Sequence, residues 1–114
     1  MRLRQRSEFV AAARGVRQSR DAFALQGLPR PVRTAAIGLG LTVTRKIGGA
    51  VVRNRARRRL REALRLTLPG PARPGADYVV VARPAALTCP FAQLRHDLAG
   101  AFEQIGRRLE RGRG

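Results

Sequence analysis

Residues 37–65 read IGLGLTVTRKIGGAVVRNRARRRLREALR, and the hydrophobic period changes partway along them. From Ala35 to Thr44 it is two. Ile37, Leu39, Leu41 and Val43 point one way, while Gly38, Gly40, Thr42 and Thr44 point the other. This is the pattern of a half-buried strand. Its second side is unusually small. Glycine there suits either a ligand approaching the backbone or a sheet corner or bulge, and the pattern leaves both open. Lys46 to Gly49 is a loop, and a helix is expected from about Ala50 to Leu66. At about 100° per residue, Arg53, Arg57, Arg61 and Arg65 form one nearly straight row with Asn54 and Arg58 beside it. Val52, Ala56, Leu60, Ala63 and Leu64 form the opposing apolar stripe.

Arg45 to Arg65 holds nine of the chain's 24 basic residues and one acid, Glu62. Like charges four apart destabilise an isolated helix by a few tenths of a kcal/mol each. Glu62 is placed to offset only Arg58 and Arg59. A charged helix face is ordinarily just solvated, but here the signs are not mixed, which favours a surface for a polyanion. A helix lying on a membrane usually carries Trp, Phe or Leu bulk on its apolar side. This one offers Ala, Val and two Leu, a width suited to packing on a sheet.

The whole chain, 114 residues, 44% hydrophobic and with a formal net charge of +17, fits one small domain. Charge of that density opposes compaction unless a polyanion screens it. All the basic residues except Lys46 are Arg. Arg binds phosphate bidentately and stacks on bases, yet an Arg bias also follows from genome base composition, so the argument rests on position. Cys89 is the sole cysteine, which excludes an intramolecular disulfide and a Cys-based zinc cluster and fits a reducing compartment. No run approaches the roughly 18 apolar residues of a membrane span. The N-terminus lacks a sustained apolar signal core; its Arg-rich, acid-poor start leaves an organelle transit peptide as the alternative to a domain helix.

That helix would be capped by Ser7 and run through Ala13, with Gly15 as its stop and Phe9, Val10 and Ala13 on its apolar side. Asp21 to Leu28 is expected as a strand around Phe23 and Leu25, with Gly27, Pro29, Arg30 and Pro31 in a turn or loop. PGPARPG, residues 69–75, is a connection too short to link domains. Asp77 to Arg83 is a second strong strand. Thr88 or Cys89 with Pro90 opens a last helix whose core stripe is Phe91, Leu94, Leu98, Phe102, Ile105 and Leu109, ending in a frayed basic tail from about residue 108. Three strands are clear, and residues 30–44 are long enough for two. The acids Glu8, Asp21, Glu62, Asp77, Asp97, Glu103 and Glu110 are scattered and form no metal cluster. His96 beside Asp97 reads as a surface residue, and Cys89 beside Pro90 has no activating partner.

These residues resemble the bacterial ribonuclease P protein family. Its pattern is a strand like IGLxVxKK, a glycine-containing turn, then AVxRNRxKRxxRE. Here it is Ile37 to Val43, Arg45-Lys46, Gly49-Ala50-Val51, then Arg53-Asn54-Arg55 through Arg61-Glu62. The family's opening RLR-x-x-x-x-F is echoed by Arg2-Leu3-Arg4 and Phe9, and its strand D-F/Y-V-V-V/I-A-R/K by Asp77 to Arg83. Two departures stand out. Ala13 occupies the place of a frequent second aromatic, and Arg45 replaces the first Lys of a pair.

The resemblance implies an α+β two-layer sandwich of order α-β-β-β-α-β-α, ribosomal protein S5 domain 2-like, with a left-handed βαβ crossover against the usual hand. It implies the accessory subunit of an RNA enzyme that removes the 5′ leader of precursor tRNA. The RNA does the chemistry with Mg²⁺ and the protein supplies no catalytic residue; no metal-ligand set is assigned to the protein, and the sequence leaves open whether it binds a metal. Arg45, Lys46, Arg53, Asn54, Arg55, Arg57, Arg58 and Arg61 would hold the catalytic RNA. Asn54 would fix the helix start or read a base edge. Phe9, Phe23, Gly38, Gly40, Thr42 and possible partner Tyr78 would form a groove for the leader, with weaker stacking because of Ala13; a core role competes for Phe9 and Phe23. The expected partners are the catalytic RNA and precursor tRNA, with no membrane and no obligate protein partner, in the cytoplasm. A ribosomal or other structural RNA-binding protein of similar fold is the alternative, and a nuclease acting alone a further one.

Overall fold

The computed structural model describes residues 16–29, 37–68, 70, 72 and 75–113. In chain order these hold β1 (Val16–Ser19), β2 (Phe23–Pro29), β3 (Gly38–Thr42), a 3-10 turn (Arg45–Ile47) and α1 (Ala50–Thr67). Then follow β4 (Ala76–Ala82), a second 3-10 turn (Pro84–Leu87) and α2 (Phe91–Arg113). The helix expected over Ser7–Ala13 lies outside the described residues.

The four strands form one mixed sheet in the order β1-β2-β4-β3. β1 pairs with β2 and β2 with β4 antiparallel, whereas β3 and β4 are parallel neighbours. Parallel neighbours require a crossover, and the long basic helix α1 lies in that connection.

Register decides which side chains share a face. Gly27, Tyr78 and Leu39 form one cross-strand row; Leu25, Val80 and Leu41 form the next, with Phe23 opposite Ala82 beyond it. This face packs on the helices: Phe23, Leu25, Tyr78 and Val80 join Ala56, Leu60, Ala63 and Leu64 of α1 and Leu94, Leu98, Phe102 and Ile105 of α2 in one core. Each fully buried Leu, Ile, Val or Phe among them contributes roughly 1.5–3 kcal/mol. The opposite face carries the intervening rows: Ala24, Val81 and Thr42; Gln26, Val79 and Gly40; Leu28, Asp77 and Gly38.

Several expectations change. A fourth strand among the described residues is Val16–Ser19; residues 37–44 hold β3 alone, and residues 30–36, where a further strand is expected to fit, lie outside the described residues. The four residues of β1 alternate between half-buried and exposed, too short and polar a run to stand out. β2 continues through Gly27 and Pro29, where the sequence alone suggests a turn or loop, because β4 supplies partners for both. α2 runs on to Arg113, past the point where fraying was expected.

Candidate nucleic-acid interface

α1 is positioned by its apolar stripe. Ala56, Leu60, Ala63 and Leu64 are buried, as the wheel requires, and Val52 is half-buried. Gly48 makes the turn into the helix. Its φ of +150° disfavours any side chain, and a Cβ there would sit 2.9 Å from Val52 Cγ1. The turn leaves Arg45 and Lys46 exposed just before the helix. α1 starts without a side-chain cap and with no acid in its first turn.

The arginines of α1 divide into three groups. Arg55, Arg58 and Arg61 are exposed, and among the described residues they have no hydrogen-bond or ion-pair partner. Arg57 is half-buried and donates from Nη1 to Asn54 Oδ1 at 2.9 Å. Arg53 is half-buried beside them, its Nε buried without a partner. Asn54, Arg57, Arg58, Arg61, Glu62 and Arg65 line one shallow concavity of about 550 Å³.

The other two arginines are spoken for. Arg65 donates from Nε to Glu62 Oε2 at 3.0 Å and from Nη2 to Oε1. That hydrogen bond, more than the charge of Arg65, holds the Glu62 carboxyl below the usual carboxylate range. Glu62 therefore pairs with Arg65, not with Arg58 or Arg59, and the end of the expected cationic row is neutralised. Arg59 turns inward, donating to Ala86 O at 3.0 Å and to Cys89 O. It ties α1 to the second 3-10 turn and serves the fold.

The expected groove divides as well. Gly38, Gly40 and Thr42 lie on the sheet face away from α1 and α2. Phe23 and Tyr78 do not, because their register puts them on the helix face. Both are 0% exposed, and Tyr78 meets Phe102 edge-on, ring centroids 4.7 Å apart at 65°. These rings fill the core and are closed to a nucleobase. The residues that do flank the glycines, Gln26, Val79, Ala24 and Val81, were missed; pairing register was the signal that identifies them. Phe9 lies outside the described residues.

Among the described residues no group of three or more His, Cys, Asp or Glu is placed to hold a metal ion. Nor, among them, is any helix long and apolar enough to cross a membrane.

A mixed four-stranded sheet backed by two helices, one of them presenting unpaired guanidinium groups, defines an α+β protein with a surface for a polyanion. The sequence model of the Ribonuclease P family matches residues 1–106, and the chain belongs to that family. It is 46% identical over 111 residues to the ribonuclease P protein component of Caulobacter vibrioides, covering 97% of this chain and 74% of that one. It is 46% identical over 105 residues to the ribonuclease P protein component of Ruegeria pomeroyi, covering 90% and 84%. The RNase P protein from Thermotoga maritima superposes with a TM-score of 0.75 at 27% identity, covering 91% of this chain and 96% of that one.

Proposed function

We propose that this chain is the protein subunit of ribonuclease P, holding the catalytic RNA on the outward face of α1 and the 5′ leader of precursor tRNA along the sheet face away from the two helices. The observation that carries the first half is the set of exposed, unpartnered guanidinium groups at Arg55, Arg58 and Arg61, with Arg45 and Lys46 beside the helix start. Neutralising phosphates releases counterions, so affinity should fall steeply with salt. The bonded pair Asn54–Arg57, with Arg53 beside it on the same helix, completes the contact.

The leader groove in this reading is built on Gly38, Gly40 and Thr42 with their register partners Val79, Val81 and Gln26. Small side chains let a strand lie close to the backbone without a demand for sequence. Phe9 is kept in the groove on the sequence alone. The bond cleavage and its Mg²⁺ belong to the RNA, and the protein acts by binding and positioning. The cytoplasm is the proposed compartment, in keeping with the single unpaired Cys89.

The test is cleavage of precursor tRNA by the purified chain with and without the catalytic RNA. At low Mg²⁺ the protein should accelerate leader removal by the RNA and do nothing alone. Cleavage without added RNA, or stoichiometric copurification with ribosomal RNA, overturns the reading.

A further inference from the structure

Val51 is the most exposed large hydrophobic side chain among the described residues, at 74%. It precedes Asn54 and Arg55 by one helical turn and Arg58 by two, so at about 100° per residue it points outward with them. The buried stripe of Ala56, Leu60, Ala63 and Leu64 is on the other side. In the isolated protein this choice has no benefit. A β-branched residue on an exposed helix position loses rotamer freedom, and its methyl groups stay in water.

The surface beside it is equally bare. A Cβ on Gly49 would meet nothing within 4 Å, and φ −71°, ψ −178° there is open to any residue. Neither backbone strain nor a neighbour within the chain requires glycine at 49. An apolar knob next to an uncovered stretch of main chain, inside a cationic field, is shaped for a flat partner that carries phosphates.

Resting on the function proposed above, we infer that Val51 is an apolar contact for the catalytic RNA, packing against the base or ribose of a nucleotide whose neighbouring phosphates are held by Arg55 and Arg58. A second copy of this chain fits poorly, because Arg45, Lys46, Arg55 and Arg58 would face their own kind. The contact contributes affinity without releasing counterions, so it differs in kind from that of the arginines.

The experiment measures affinity of the full chain for the catalytic RNA across a salt series, for wild type, Val51→Ala, Val51→Thr and Arg58→Ala. Ala favours the helix, so Val51→Ala should melt no lower than wild type. Both Val51 variants should bind several-fold more weakly at every salt concentration, about five-fold for Ala, with the wild-type slope retained. Arg58→Ala should instead flatten the slope by roughly 0.7–0.9. If Arg58→Ala flattens the slope while both Val51 variants stay within about twofold of wild type, this inference fails and the proposed function stands. A Val51 effect that vanishes at high salt also overturns it, as does a concentration-dependent dimer of the RNA-free protein abolished by Val51→Ala. If the wild-type chain shows no salt-dependent binding of the RNA, the proposed function itself fails.

Discussion

The amide oxygen of Asn54 accepts a hydrogen bond from Arg57 Nη1 at 2.9 Å. The amide thereby orients a guanidinium group while its own NH₂ stays available to donate. Asn54→Asp would turn this neutral tether into an ion pair and set a carboxylate among the phosphates. Catalytic-RNA affinity should drop about tenfold or more, and its dependence on salt should flatten by about one unit, as for the loss of one cation. Fluorescence anisotropy at several salt concentrations checks both numbers.

Glu62 and Arg65 give the opposite expectation. Because the folded-state pKa of Glu62 is depressed, the pair is intact through neutral pH and dissolves only as pH falls through and below the usual carboxylate range. Affinity for RNA should therefore show no pH dependence arising from Glu62 between about pH 6 and 8. Glu62→Gln removes a negative charge and frees Arg65, so binding should tighten and the salt dependence steepen by about one. Wild-type behaviour in that variant would place this end of α1 outside the contact.

Arg59 should register as a stability residue. Arg59→Ala leaves Ala86 O and Cys89 O without their donor, a loss of about 1–3 kcal/mol. Calorimetry should show a melting point several degrees lower, with the salt dependence of RNA binding unchanged. Lys at this position should rescue little, since one ammonium cannot reproduce the planar fork that reaches both carbonyls.

Gly27 is held to its identity by crowding. A Cβ there would lie 2.7 Å from Ile105 Cγ2 and 3.2 Å from two ring carbons of Tyr78. Gly27→Ala should destabilise the fold by about 1–3 kcal/mol, the range for an overpacked core, as read from urea unfolding.

What could be read from the amino acids follows what each element depends on. α1 was legible almost to the residue because one stripe and one charged face suffice to define it; Ala56, Leu60, Ala63 and Leu64 are buried as their spacing demands. The groove was legible only in part. Parity along β3 marks Gly38, Gly40 and Thr42, but the faces of Phe23 and Tyr78 depend on which strands become neighbours. Their own alternation carries a warning, since Tyr78 shares parity with Val80 and Phe23 with Leu25, both core residues. The true partner of Glu62 was hidden because Arg59, an apparent neighbour, is drawn away by carbonyls from a distant turn.

The parallel pairing of β3 and β4 couples the recognition helix to the slowest class of contact a small chain makes. Gly38 and Asp77 are neighbours in the sheet but distant in sequence, and the whole of α1 lies within the loop they close. Such pairings are slow to close, because the entropy of a long loop is lost before the contact rewards it. The cationic surface is held in place by that closure, since α1's buried stripe packs in the same core as Leu25 and Val80. A lesion at Leu25 or Val80, remote from every arginine on α1, will present in a genetic screen as defective tRNA maturation. Excess catalytic RNA should suppress it, by drawing the equilibrium toward the closed form through mass action.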